Sequence, residues 1–167
     1  MTGGEQQRPL AAETWHRQLA AGRSGDWAGL ETTLAPDCVW AVITQGALFR
    51  GRDQVISFIR EGFDAAATRE EPDVRSEFST AEWGVYEYTS RGTMDRTRTV
   101  QFAKRISGGR PIITRALAQI LSWALGGKSF AIPVCFAYHV NADGLIDQVN
   151  EYVGKRTTST QVKPGLG

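Results

Sequence analysis

Histidine and cysteine are scarce in this chain, with two of each among 167 residues. Cys38 and Cys135 lie far apart in apolar runs with no CxxC spacing, and only His16 and His139 could join them as ligands. Neither a zinc site nor a disulfide scaffold is indicated, and two reduced thiols in a cytoplasmic protein are the expectation. An excess of one charge is also missing: 19 Lys and Arg stand against 18 Asp and Glu, a net charge of +1. That balance argues against a protein that works on phosphate backbones, so nucleic acid is not an expected partner.

The longest apolar run, Pro111 to Gly127, carries Arg115 and Gln119. It falls short of the roughly 20 clean apolar residues that a membrane span needs. Residues 1 to 12 lack the charged start and apolar stretch of a signal peptide. The pairs Gly108-Gly109 and Gly126-Gly127 lack the lysine and spacing of a phosphate loop, and no GxGxxG follows a strand. With no Gly-x-Ser-x-Gly elbow either, neither a nucleotide cofactor nor a covalent nucleophile is implied.

What is present is the material for a core: five Trp, seven Phe and four Tyr, with 41% hydrophobic residues. One domain of this length buries roughly 68–70% of its unfolded surface. Leu10 to Ala21 shows helical spacing up to the break at Gly22 to Gly25, and Asp26 is placed to cap a short second helix, WAGLETTL, closed by Pro36. Cys38 to Ile43 is β-branched and aromatic and predicts a strand. Residues 53 to 66 put Val55, Ile56, Ile59 and Phe63 on one face of a third helix, with Asp53 as its cap.

After Pro72 the period changes to two. Val74, Ser76 and Phe78 alternate with polar neighbours, and Val85 to Arg91 continues beyond Trp83-Gly84 as the second arm of a hairpin. Ser129 to Val140 and Leu145 to Val153 form a closing pair around the turn Asn141 to Gly144. Helices first and antiparallel strands afterwards is an α+β pattern. Residues 1–12 read as a flexible start, 13–153 as one domain, and 154–167 as a frayed tail. An insertion at 93–128 holds the basic residues Arg96, Arg98, Lys104 and Arg105 and a helix from Arg110 to Leu125, which serves as extra core, lid or dimer contact.

Four stretches resemble the nuclear-transport-factor-2-like superfamily, which includes ketosteroid isomerases, limonene epoxide hydrolases and SnoaL-like polyketide cyclases. They are WHRQLAAGRSGDWAGLETTLAPDCVW, GRDQVISFIREGF, GVYEYTSRGT and FAYHVNADGLIDQVNEYV, about two thirds of the chain. The resemblance implies a cone in which three N-terminal helices wrap a curved, mostly antiparallel sheet around an apolar pocket.

The strand register that the resemblance implies points Cys38, Trp40 and Val42 inward, with Glu87, Thr89 and Arg91, then Ile132, Val134, Phe136 and Tyr138, then Asp147, Val149, Glu151 and Val153. Gln18 looks in from the first helix, while Tyr86, Tyr88 and His139 face out and His16 lies on the surface. Glu151, Arg91 and Glu87 are then candidate catalytic groups, because a charged group in an apolar pocket needs a partner and acquires a shifted pKa. Glu87 and Arg91 lie roughly 13 Å apart along their strand, so Arg91 is expected to pair with Glu151. A one-residue slip of that strand would turn all three of its candidates outward. Gln18, Trp40, Val42, Thr89, Ile132, Val134, Phe136, Tyr138 and Val149 are the expected substrate contacts.

The chain departs from the resembled enzymes. Positions that hold the base and oxyanion donors of ketosteroid isomerases carry Val42, Gln18 and Phe136, so that activity is not expected. Of the limonene epoxide hydrolase residues only the carboxylate at 151 is matched; the others read Thr89, Arg91, Trp40 and Val42. Trp40 and Val42 make a drier wall than groups that hold a water. The resemblance therefore implies a cofactor-independent acid/base isomerase or cyclase acting on a neutral apolar molecule. The alternatives are an epoxide hydrolase and a non-catalytic apolar-ligand module, and a homodimer through the outer sheet face is expected.

Overall fold

The computed structural model describes residues 10–95 and 129–154. The expected insertion helix, the basic run at 96–105 and nearly all of the tail lie outside the described residues. Three helices are formed as anticipated: α1 (Leu10–Ser24), α2 (Trp27–Glu31) and α3 (Arg52–Asp64). Helix α1 already has Ala11 buried, so the ordered fold begins before residue 13. Asp26 caps α2 by accepting the Gly29 amide at 2.9 Å. Pro36 does not close that helix, because β1 (Leu34–Val42) has begun by then.

Asp53 is not the cap of α3. Gly51 holds that place at φ 81°, a backbone conformation a side chain would resist, and Asp53 sits in the first turn where its charge favours the helix dipole.

Among the described residues seven strands make one sheet in the order β2-β1-β7-β6-β5-β3, with β4 paired to β5 off that path. Besides β1 they are β2 (Ala47–Arg50), β3 (Ala66–Arg69), β4 (Asp73–Ser79), β5 (Trp83–Met94), β6 (Ser129–Val140) and β7 (Ile146–Val153). Strands β3 and β4 follow one another along the same edge of β5, β3 beside residues 92–94 and β4 beside 84–89. All pairings among the described residues are antiparallel except β1 with β7. The two shortest strands, β2 and β3, have too few residues to show a period and are not predicted by the sequence.

Trp15 is the hub of the core, with none of its surface exposed. Its ring stacks on Tyr138 at 4.4 Å and 9° and lies 5.0 Å from Phe136 and 6.2 Å from Trp40. Such ring pairs add about 0.5–1.5 kcal/mol each beyond the area they bury. They fix α1 against the concave face of the sheet. Tyr138 reaches this stack across Gly84, its partner on β5, where a Cβ would collide with the phenol ring. Gly84→Ala is expected to destabilise the fold by about 1–3 kcal/mol, read as a lower denaturant midpoint at unchanged m-value.

Candidate functional site

The concave face of the sheet and the inner sides of α1 and α3 enclose a cavity of about 320 Å³. Its walls are mostly rings and aliphatic groups: Trp15, Trp40, Phe58, Phe63, Phe130 and Phe136, with Val42, Ile59, Ile132, Val134 and Val153. Gln18, Gln45, Arg69, Tyr88, Ser90 and Glu151 supply the polar groups. A second hollow, of about 380 Å³, is a more open cleft lined by Glu31, Pro36 and Arg50 to Gln54. Its charges answer each other, Arg52 lying 3.5 Å from Glu31.

The register of β7 brings Glu151 to the cavity. Glu151 stands between Val42 on β1 and Phe136 on β6, two apolar neighbours. Trp40 pairs with Val149, so its indole lies diagonal to Glu151 on the same face, and its Nε1–H donates to Oε2 at 2.7 Å. Desolvation pushes the Glu151 carboxyl up to about 7, against the pull of the Trp40 hydrogen bond and of the Arg69 charge. The free oxygen, Oε1, has no partner among the described residues. The carboxyl is thus held by one oxygen and open at the other.

Arg91 is not the partner of Glu151, and the β5 expectation is corrected throughout. Glu87, Thr89 and Arg91 lie on the opposite face of β5 from the cavity, whose wall is made by Tyr88 and Ser90 instead. Arg91 pairs with Asp73 at 3.2 Å, Glu87 accepts from Ser76 at 3.2 Å, and Thr89 is buried beneath Arg75. Tyr86, expected outside, is 3% exposed against α1. Burying two tyrosines gains about 1.5–3 kcal/mol for each, whereas burying Glu87 and Arg91 costs several for each ion, so apolar burial sets the register.

Other candidates fall closer to expectation. Gln18, Trp40, Val42, Ile132, Val134 and Phe136 all line the cavity. Val149 and Tyr138 share that face but are packed into the core, and Cys38 is likewise buried beneath it. The Cys38 thiol is pushed up to about 11, chiefly by burial, and stays protonated at neutral pH. Asp147 leaves the inward series because the register shift falls at it, between Ile146 and Gln148, and its Oδ1 lies 2.6 Å from His139 Nδ1. His16 bridges α1 to β4, 2.6 Å from Glu77.

The sequence reading missed Arg69, Tyr88 and Ser90. Arg69 belongs to the unpredicted strand β3. Its side chain is surface-accessible, yet surrounding protein atoms desolvate the guanidinium enough to lower its pKa while leaving it a cation. Tyr88 stacks on Phe136 at 6.0 Å and 16°, and burial pushes its hydroxyl up to about 12. The alternation Tyr86, Tyr88, Ser90 in the sequence was the available signal for this face.

The chain matches the family description "SnoaL-like domain" over residues 15–149. It belongs to the SnoaL-like domain family. Among solved structures it is similar to a provisionally named SnoaL-like polyketide cyclase from Shewanella putrefaciens. That match has 11% identity and a TM-score of 0.64, covering 88% of this chain and 91% of the other. A provisionally named polyketide cyclase from Xanthomonas campestris pv. campestris matches at 21% identity and a TM-score of 0.58, over 86% and 89% of the two chains.

A provisionally named ketosteroid isomerase from Kribbella flavida matches at 10% identity and 0.57, over 95% and 91%. No curated protein matches the chain. At these identities the likeness carries the fold. Among the described residues no helix is long and apolar enough to cross a membrane, and no cluster of His, Cys, Asp and Glu could hold a metal ion.

The raised carboxyl has a consequence for stability. Its folded pKa exceeds its unfolded value, so the folded SnoaL-like domain binds the extra proton between about pH 4.5 and 7. The stabilisation is complete below that window and is lost as the pH rises through it. Glu151→Gln keeps the shape without the charge and is expected to be more stable than wild type at pH 8, by on the order of 1–3 kcal/mol. Thermal melts of the two proteins should converge toward pH 5.

Proposed function

We propose that this SnoaL-like chain is an acid/base enzyme of isomerase or cyclase type, acting on an apolar small molecule in the 320 Å³ cavity through Glu151. The observation that carries the reading is one carboxyl, pinned by Trp40 at 2.7 Å between the apolar neighbours Val42 and Phe136, with burial pushing its pKa up to about 7. A general acid or base works best when its pKa lies near the working pH. Ionised, Glu151 can take a proton from carbon beside a carbonyl through Oε1; protonated, it can return that proton at another atom.

The negative charge that develops on the substrate oxygen needs a donor. Tyr88 is neutral at pH 7, faces the same cavity and can donate to that oxygen. The chemistry asks for no cofactor. Val42 beside Glu151, and Trp40 occupied with its carboxyl, support proton transfer over the positioning of a nucleophilic water.

The test is mass spectrometry on a pooled set of apolar epoxides, hydroxy-epoxides and enones, incubated with wild type and with Glu151→Gln. The expected result is a product of unchanged mass at a new retention time, slowed roughly 100-fold or more in the variant. Where Glu151 acts as base, the rate should rise with pH through about 7, as the carboxylate forms. A gain of one water would establish hydrolysis, and an equal rate in the variant would remove Glu151 from the chemistry. No product with either protein favours a ligand-binding role.

The same reading includes a homodimer through the convex face of the sheet. Phe78, Trp83, Val85 and Tyr152 are 69%, 45%, 38% and 42% exposed, and strand pairing puts them on one face with Cys135 and Ala137. A contiguous apolar patch of this kind favours protein contact over open solvent. Light scattering should report a dimer for the wild type, and Phe78→Glu with Val85→Glu should shift it to monomer without loss of helix or sheet signal.

A further inference from the structure

The cavity contains a cation that its described neighbours leave without a counter-ion. Arg23, Arg52 and Arg91 each have a carboxylate oxygen at 2.6, 3.5 and 3.2 Å. Arg69 has none within 4 Å among the described residues; it donates to the Gly62 carbonyl and lies over the Phe63 ring at 4.4 Å. Glu151, the one carboxyl among the described lining residues, is engaged by Trp40 instead. A guanidinium presents five N–H donors in a planar fork, so most of its hydrogen-bonding capacity is left for a ligand.

An independent observation comes from the other polar side chain of the wall. Gln18 is 3% exposed, and its Oε1 has no hydrogen-bond partner among the described residues. A buried acceptor without a donor costs about 1–3 kcal/mol, and a hydroxyl on a bound molecule would relieve that. The walls of the cavity that the accessible Arg69 and the buried Gln18 both line are largely aromatic, with Trp15, Trp40, Phe63, Tyr88 and Phe136 among them. Flat rings are the shape such walls pack against best.

We infer that the ligand is an aromatic or polycyclic carboxylate, its acid group held in the Arg69 fork at the accessible side and a hydroxyl donated to Gln18 at the buried side. This rests on the reading of the Glu151 cavity as the ligand site, and it narrows that ligand from apolar to amphipathic. Arg69 sets specificity by binding the acid and is not required to touch the reacting atoms.

Three probes test the inference: 6-hydroxy-2-naphthoate, its methyl ester, and 2-naphthoate, titrated by quenching of the tryptophan fluorescence and by calorimetry. Wild type should bind the acid about tenfold more tightly than the ester. Arg69→Met should erase that preference while still binding the ester, and Arg69→Lys should keep part of it. The 6-hydroxy acid should bind several-fold more tightly than 2-naphthoate, an advantage lost in Gln18→Leu. Unchanged ester binding in the Arg69 variants, and unchanged 2-naphthoate binding in Gln18→Leu, shows that each variant is folded.

Equal binding of acid and ester by wild type, or a preference that survives Arg69→Met, would overturn the inference and leave the cavity reading standing. Failure of the ester and both acids to bind would overturn both together.

Discussion

The hydrogen bond from Trp40 Nε1 to Glu151 Oε2, 2.7 Å long, is the constraint on which the site depends. It exists because β1 and β7 run parallel with Trp40 beside Val149 and Val42 beside Glu151, so an indole and a carboxyl meet diagonally across two strands. Two opposing effects act on that carboxyl. The hydrogen bond and the Arg69 charge favour its ionised form, while burial between Val42 and Phe136 disfavours it. Burial wins by enough to bring the group to neutrality, and not by enough to keep it permanently protonated.

The same indole belongs to the ring cluster that holds the fold. Trp40 lies 6.2 Å from Trp15, 6.1 Å from Phe58 and 5.7 Å from Phe136, and thereby joins β1 to α1, α3 and β6. The cluster shapes a mostly apolar cavity and supports the residue that aims the carboxyl, so packing and chemistry share one side chain. Arg69, Tyr88 and Gln18 add polar groups to the lining from β3, β5 and α1. Three different elements must dock before those groups face one another, which ties the site to the folded state.

Much of this was legible beforehand, and the failures have physical causes. Helices α1 and α3, the β6–β7 hairpin and the inward positions of Trp40, Val42, Phe136 and Glu151 follow from period and from family resemblance. The resemblance misled on β5, where it put Glu87, Thr89 and Arg91 inside; the burial preference of Tyr86 and Tyr88 decided the register the other way. Arg69 escaped notice because a four-residue strand carries no periodic signal and its position depends on pairing with residues 92–94. Asp147 was displaced by a register irregularity that no spacing rule anticipates.

The central claim is that the Glu151 carboxyl changes charge near neutral pH. Carbon-13 NMR of the protein labelled at glutamate carboxyls, with Glu151→Gln to assign the resonance, reads that event directly. The account predicts a midpoint of about 7, moving higher in Trp40→Phe as the stabilising hydrogen bond is lost. A midpoint in the ordinary carboxylate range, near the unshifted 4.5, would contradict it.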